Sequence, residues 1–273
     1  MRALRMRAQI TGPLIAGLCA AVLAGTGAGP VLAAEEGACY VAGSLVHADF
    51  ALPRTAAAID RKHVSIVVLG SASSSLPGAE GPAKAYPARL QESLAKRLGD
   101  VTVKVVARTK ARETASEMVK ALRQVLTDEK PDLVIWQTGT VDAMLGVDPD
   151  EFQAALGTGL DALHAGKADA VFVNMQYSPR TDSMISLGAY VDAMRFVALQ
   201  REIPLFDRLG VMKDWNEMGV FDLSTATKKI DVAERVHDCI GRLLARLVVD
   251  GAALARANVT GSGNVDILNK DNH

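Results

Sequence analysis

Short apolar segments rich in Val and Ile alternate with amphipathic stretches from Ser65 onward, and this alternation constrains the fold more than any other feature. The segments with strand character are residues 65–70, 101–107, 132–137, 170–175 and 204–206. Most have few polar interruptions, as expected of strands that are covered on both faces. Because βα alternation implies right-handed crossovers, the pattern predicts an α/β fold, with three α/β/α layers around a parallel five-stranded sheet.

Amphipathic helices are predicted in the intervals between these strands. They cover residues 83–98, 114–126, 149–164 and 187–200. Met118 lies on the apolar face of the second helix, and we interpret Met118 and Met144 as core residues. A long amphipathic helix over 231–249 closes the domain, and Gly251 is its predicted stop.

The N-terminus has the features of a secretory signal peptide. A basic start precedes an apolar run, and the small-residue pattern Val31-x-Ala33 predicts cleavage after Ala33. The alternative is an uncleaved membrane anchor, but Pro13, Pro30 and several glycines interrupt the run, and we expect no stable membrane span after cleavage. The expected order is signal peptide 1–33, an extended N-terminal arm 34–61, the main domain 62–250 and a flexible tail 251–273.

Charge and composition exclude several classes of partner. The formal net charge is −1, which does not suit a nucleic acid or an anionic membrane surface. Aromatic residues make up only 4%, which argues against a carbohydrate-binding module built on exposed rings. No G-x-G-x-x-G or Walker loop follows a strand, and the histidines lack metal-ligand spacing, so we expect no cofactor and no metal.

Two cysteines remain once the signal peptide is removed, Cys39 and Cys239. They lack the Cys-x-x-Cys or Cys/His spacing of a metal or redox site. An even pair in an exported chain favours a disulfide between the N-terminal arm and the last helix. The expected location is outside the cytoplasm, as a secreted protein of the bacterial periplasm.

Small and polar residues follow the predicted strands, at the edge where doubly wound sheets bind ligands. The first strand ends in V-V-L-G-S-A-S-S-S, and Y-P-A-R-L opens the next helix. Later blocks read V-V-A-R-T-K-A-R-E-T-A, P-D-L-V-I-W-Q-T-G-T-V-D, M-Q-Y-S-P and H-D-C-I-G-R-L-L. In this order they resemble the blocks of the SGNH/GDSL hydrolases, an exported branch included, over nearly the whole mature chain. The resemblance implies a flavodoxin-like sheet and ester hydrolysis.

Such a hydrolase needs a serine nucleophile after the first strand, a histidine oriented by a carboxylate, and an oxyanion hole. When the family pattern is carried over, each of these positions holds another residue. The positions are Ala72 for the serine, Arg112 for the glycine, Val141 for the asparagine, Lys228 for the aspartate and Asp231 for the histidine. The resemblance therefore implies a degenerate catalytic tetrad and a retained fold.

Neighbouring residues offer a rescue of catalysis. Ser71 or Ser73 could act as a displaced serine, and His237, in a Glu-x-x-His spacing with Glu234, as the base. We favour the alternative in which the serine hydroxyls cap the following helix and His237 is solvated on an exposed helix face.

The substitutions also change the charge expected at this edge. Arg112 and Lys228 would bring cations there, with Asp142 and Asp231 as possible partners, although solvated surface ions are the simpler reading. The expected ligand-binding residues are Ser71, Arg112, Thr140, Asp142 and Asp231. We therefore expect an exported SGNH-like protein with little or no catalysis, whose partner is a glycan, an acylated small molecule or a paralogous hydrolase. The alternative is an active serine esterase or O-acyl carbohydrate hydrolase.

Overall fold

The computed structural model describes residues 39–224 and 230–268, with side chains described as far as residue 259. The predicted signal peptide 1–33 and the predicted site residue Lys228 lie outside the described residues. Within the described part, no helix combines the length and the apolar composition that crossing a bilayer requires.

A five-stranded parallel sheet lies at the centre of the fold. Its strands are β1 (His63–Gly70), β2 (Thr102–Thr109), β3 (Leu133–Gln137), β4 (Asp169–Val173) and β5 (Leu205–Phe206). They are ordered β2-β1-β3-β4-β5. The chain adds β2 on one side of β1 and β3 to β5 on the other side, so the order of the strands switches between β1 and β3. The predicted α/β fold and its parallel five-stranded sheet are confirmed, and each predicted strand lies within two residues of its observed bounds at either end.

Helices cover both faces of the sheet. Those of eight or more residues are α1 (Pro53–Asp60), α3 (Tyr86–Leu98), α4 (Ala115–Glu129), α6 (Pro149–Ala165), α8 (Gly188–Gln200), α9 (Arg208–Glu217) and α10 (Ile230–Leu268). Three shorter ones are α2 (Gly81–Lys84), α5 (Thr140–Leu145) and α7 (Pro179–Met184). One apolar core lies between the sheet and α1, α3 and α10, and a second between the sheet and α4, α6 and α8.

Alternate residues of each strand supply the two cores, because successive side chains point to opposite faces of a sheet. On β1, Ile66 and Val68 enter the first core, whereas Val67 and Leu69 enter the second. This two-sided burial explains why β1, β3 and β4 are mostly apolar, whereas β2, at the edge of the sheet, carries Lys104 and Arg108 and has no buried residue.

The last helix and the N-terminal arm differ from their predictions. Helix α10 does not stop at Gly251 but continues to Leu268, and Ala252 is fully buried. The glycine serves a close approach, because a Cβ at Gly251 would lie 2.9 Å from Leu52 Cδ1. Leu52 also donates its backbone N–H to the carbonyl oxygen of Gly251. The arm is not extended throughout, since α1 (Pro53–Asp60) begins with Pro53 in its first turn, where the missing N–H costs nothing.

Other local differences come from short helices that periodicity did not indicate. Helices α5, α7 and α9 have no counterpart among the predicted helices, and the predicted helix 83–98 is broken at Ala85 into α2 and α3. Met118 is buried as predicted, but Met144 lies on α5 and is 63% exposed, so its assignment to the core was wrong.

A disulfide joins Cys39 to Cys239, with the two Cα atoms 5.2 Å apart, as predicted. It connects the start of the described chain to α10. A disulfide of this kind is typical of proteins outside the cytoplasm.

Candidate functional site

The carboxyl ends of β1, β3 and β4 meet at one edge of the sheet. Gly70 ends β1 and Gln137 ends β3, where Gln137 pairs in register with Val173 of β4. A single turn of 3-10 helix, Ala72–Ser74, follows β1 directly. We call the segment from Ser71 to Ser75 the serine turn. It occupies the place where a ligand site is expected in this type of sheet.

The serine turn is held by one acceptor, the side-chain oxygen of Gln137. The hydroxyls of Ser71, Ser73 and Ser74 lie 3.1, 3.2 and 2.9 Å from Gln137 Oε1. The backbone N–H of Ser71 donates to the same oxygen at 3.1 Å. Because this N–H can only donate, it fixes the oxygen end of the Gln137 amide toward the turn. The predicted capping role is therefore wrong, since Ser71 makes no side-chain cap bond to the helix that follows.

Gly70 allows the turn to fold back this closely. A Cβ at Gly70 would lie 2.4 Å from Ser74 Oγ and 3.2 Å from Gln137 Oε1. A contact of 2.4 Å does not occur between real side chains, so a larger residue at position 70 would force Ser74 away from its present position beside Gln137.

Tyr86, at the start of α3, links the serine turn to the last helix. Its hydroxyl lies 2.7 Å from Ser74 Oγ, and its backbone N–H donates to Nδ1 of His237 at 3.0 Å. Helix α10 approaches α3 closely because residue 241 is a glycine, where a Cβ would lie 2.8 Å from the backbone N of Leu90. His237 is one turn earlier on α10 and is 9% exposed, so the predicted exposed position was wrong.

His237 is held as a neutral imidazole. Burial, with a smaller contribution from the charge of Arg208, lowers the pKa of His237 to about 3. Since Nδ1 accepts the Tyr86 N–H, the ring proton of the neutral form is on Nε2. Nδ1 is thus occupied as the acceptor of the backbone N–H, and Nε2 carries the ring proton. His237 consequently has no free lone pair with which to take a proton from a serine.

Arg208, the first residue of α9, lies beneath the serine turn and is 1% exposed. Its Nη1 donates to the carbonyl oxygen of Ser73 at 3.3 Å, and its Nη2 to Oε1 of Gln176 at 3.4 Å. Its Nε has no partner. Burial lowers the pKa of Arg208 to about 10, so the guanidinium stays charged at neutral pH.

Four of the five predicted tetrad positions lie among the described residues, each on a different segment of the chain. Ala72 is exposed at the top of the serine turn, Val141 is half-buried in α5, and Asp231 is exposed in the first turn of α10. Arg112 is exposed and has a φ of 64°. That left-handed backbone costs energy for a side chain with a Cβ, whereas the glycine of the family pattern adopts it freely.

Asp142 does not form the ion pair with Arg112 that the sequence suggested. Asp142 is 1% exposed and accepts the N–H of Ala115, the first residue of α4, at 2.9 Å. Burial raises the pKa of the Asp142 carboxyl, and no ion pair between it and Arg112 occurs among the described residues. Thr140 is half-buried, and its Oγ1 has no hydrogen-bond partner.

Three buried polar residues of the site had no role in the sequence analysis, namely Gln137, Tyr86 and Arg208. Gln137 is the one polar residue of β3. That signal was available, since a polar side chain at the end of a fully covered strand must find a partner. Arg208 gave no such signal, because its burial depends on packing between distant segments. Among the described residues, no cluster of histidine, cysteine and acidic residues is arranged to hold a metal ion.

The sheet order, the helix layers and the turn after β1 define the α/β/α fold of the SGNH/GDSL hydrolases. More narrowly, the chain belongs to the Non-GDSL lipase-like family, whose model matches residues 38–254. None of the curated proteins matches the chain.

Solved structures of esterases and lipases are similar in fold. The structure of TesA is 21% identical, with a TM-score of 0.51, and the match covers 67% of this chain and 99% of TesA. A lipase/acylhydrolase from Enterococcus faecalis is 18% identical, covers 66% and 93%, and has a TM-score of 0.53. LAE5, an enzyme from the metagenome of Lake Arreo, is 16% identical, covers 67% and 96%, and has a TM-score of 0.53. At these identities the similarity establishes the fold alone.

Proposed function

We propose that this protein is an exported, non-catalytic member of its family that binds a carbohydrate or acyl-type ligand at the carboxyl edge of the sheet. Two facts together carry the proposal: residue 72 is an alanine, and His237 already accepts a backbone hydrogen bond. Residue 72 has no hydroxyl, and the imidazole nearest to the serine turn accepts the Tyr86 N–H and has a pKa of about 3.

The energetic contributions of the missing catalytic groups favour a complete loss of turnover over weak residual catalysis. Nucleophile and base act as a unit, so removing either removes most of a triad's contribution. An oxyanion-hole donor contributes about 2.7–4 kcal/mol to transition-state stabilisation, and Val141 cannot supply the side-chain donor of an asparagine. Of the remaining hydroxyls of the serine turn, those of Ser71, Ser73 and Ser74 bond to Gln137, and that of Ser75 lies 3.5 Å from the carbonyl oxygen of Leu76. None of them is activated by a base.

Among the described residues, the other histidines, His47, His63 and His164, do not replace His237 at this edge. His63 begins β1, at the opposite end of the strand from the serine turn, and His164 lies in the last turn of α6. His47 pairs with Asp49 in the N-terminal arm. This distribution favours a binding role. The disulfide, together with the basic and apolar N-terminal sequence, supports export to the periplasm.

Covalent labelling tests the absence of catalysis. The purified protein is incubated with a fluorophosphonate probe, and separately with p-nitrophenyl acetate and butyrate, beside an active SGNH esterase as positive control. We expect no labelled serine and no rate above that of the Ser73→Ala variant. Labelling that disappears in Ser73→Ala or His237→Asn would instead establish a displaced-serine esterase, and the proposal would be withdrawn.

A further inference from the structure

Arg208 is a buried cation without an acidic partner. Its side chain is 1% exposed, and among the described residues no aspartate or glutamate forms an ion pair with it. Its recorded acceptors are neutral oxygens of Ser73 and Gln176. Removing an ion from water costs several kcal/mol unless an opposite charge or strong hydrogen bonds offset the loss.

Its existing contacts are weak for a guanidinium. Charge-assisted N–H···O bonds are about 2.7–2.9 Å long. The two bonds of Arg208 measure 3.3 and 3.4 Å, and Nε has no partner. Ser73 and Gln176 are both half-buried, so the residues that carry these acceptors retain some exposure to solvent, whereas Arg208 itself is buried. A stronger acceptor arriving from that side can replace them.

A second buried donor lies in the same cluster. Gln137 is fully buried, and its Nε2 has no partner, although its Oε1 receives the serine turn. Ser73 connects the two groups, because its hydroxyl donates to Gln137 while its carbonyl oxygen accepts from Arg208. Two unpartnered donors, one of them on a charged group, therefore belong to one contiguous hydrogen-bonded cluster beside Ala72.

We propose that Arg208 is the ligand-anchoring group of this edge and that the ligand carries a carboxylate, which replaces Gln176 Oε1 and Ser73 O as the acceptor of the guanidinium. This inference rests on the proposed function, because it names the chemical class of the ligand bound at that site. It assigns ligand recognition to the buried Arg208 and not to the exposed Arg112 that the sequence suggested.

Geometry and charge favour a carboxylate over a phosphate. The planar guanidinium donates two parallel bonds to the two oxygens of a carboxylate. Arg208 supplies one positive charge, and the adjacent His237 is neutral, so a singly charged group balances the site whereas a phosphate dianion leaves an excess negative charge. An acidic sugar and a free alkyl acid both present such a group.

Calorimetric titration of the whole protein tests the assignment with matched probes. Galacturonate is compared with its methyl ester and with galactose, and hexanoate is compared with methyl hexanoate. Inorganic phosphate is a separate arm. Each probe is titrated into the wild type, Arg208→Gln, Arg208→Lys and the exposed-arginine control Arg112→Gln.

We expect one of the two acids to bind the wild type at least about tenfold more tightly than its uncharged ester, which corresponds to about 1.4 kcal/mol. Arg208→Gln should lose this preference, Arg208→Lys should keep part of it, and Arg112→Gln should bind as the wild type does. Preference for galacturonate identifies an acidic sugar as the ligand, and preference for hexanoate identifies an alkyl acid.

Several results would overturn the inference while leaving the proposed function intact. These are equal affinity for an acid and its ester, tighter binding of phosphate, tight binding of galactose alone, or undiminished acid binding by Arg208→Gln. Failure of every acid to bind at millimolar concentration also overturns it. If circular dichroism shows that Arg208→Gln is unfolded, the acid–ester comparison on the wild type and the Arg208→Lys variant decide the matter. Covalent labelling, by contrast, would remove the proposed function itself.

Discussion

The backbone N–H of Tyr86 donates to Nδ1 of His237 at 3.0 Å, and this bond fixes the tautomer of the neutral imidazole that lies beside the serine turn. A catalytic histidine uses one nitrogen to bond an orienting carboxylate and the other to accept a proton. His237 has a backbone donor where that carboxylate would be. Its chemistry is thereby reversed, because the free ring nitrogen carries the proton instead of accepting it.

Acid sensitivity is the first consequence. The pKa of His237 is about 3 in the folded protein and near its ordinary value of 6.5 in the unfolded chain. As the pH falls below 6.5 the unfolded state binds the proton first, so stability is lost between pH 6.5 and 3, with a slope approaching about 1.4 kcal/mol per pH unit. Urea unfolding at several pH values measures the slope.

The matched control for this slope is His237→Asn, whose side-chain oxygen can still accept the Tyr86 N–H but does not titrate. Buried carboxyls with a raised pKa, Asp142 and Asp169, contribute equally to both proteins. The difference between the two curves therefore isolates His237. Parallel curves over this pH range would show that His237 is solvated and chargeable.

Gln137 should be a major determinant of stability at the edge. Gln137→Met keeps the approximate volume but removes the shared acceptor of the serine turn, which leaves buried donors unsatisfied. Such a loss costs about 1–3 kcal/mol. Chemical denaturation should show this decrease for Gln137→Met and a change within about 0.5 kcal/mol for the exposed Gln124→Met on α4. Equal effects of the two substitutions would contradict the role assigned to Gln137.

Arg112 is expected to be a site where glycine stabilises the protein. Its φ of 64° is left-handed, and release of that strain in Arg112→Gly should raise the free energy of unfolding by about 1 kcal/mol. The same substitution in the middle of α4, Arg123→Gly, should lower it by about 0.5–1 kcal/mol. Thermal melts compare the two variants. A lower melting temperature for Arg112→Gly would mean that the arginine side chain makes contacts that outweigh its backbone strain.

The disulfide should contribute strongly to stability, because it spans 200 residues of sequence. Replacing both cysteines, Cys39→Ser with Cys239→Ser, should cost about 2–5 kcal/mol. Added dithiothreitol should lower the melting temperature of the wild type but not that of the double variant. A reductant effect of equal size in both proteins would show that the bond is not what the reductant acts on.

The fold was predictable because strand composition and helix period act locally. The buried strands are mostly apolar segments in the sequence, and the parallel sheet was predicted from them. Gly251 misled for the opposite reason. A glycine in a helix commonly marks its end, but here it permits contact with Leu52, a residue about two hundred positions earlier. No local pattern carries that information.

The location of the site was predictable from the sequence, but the contacts within it were not. Motifs located the edge and the serine turn, since both follow strand ends. The burial of His237 depends on Gly241 allowing α10 to approach α3, and the role of Gln137 depends on the register between β1 and β3. Arg208 is hidden by the packing of α9 beneath the serine turn. These contacts form between helices and strands that are distant in sequence. The sequence therefore indicated the residues of the site but not the residues that they contact.

The covalent link between Cys39 and Cys239 closes the segment between them, with a sequence separation of 200, into a loop. A single proteolytic nick anywhere between them, the serine turn included, leaves the two pieces bonded to each other. Such a nicked protein would keep its mass on a non-reducing gel and separate into two bands only when reduced. A single cleavage at the carboxyl edge of the sheet would therefore leave the two fragments joined wherever no thiol reductant is present.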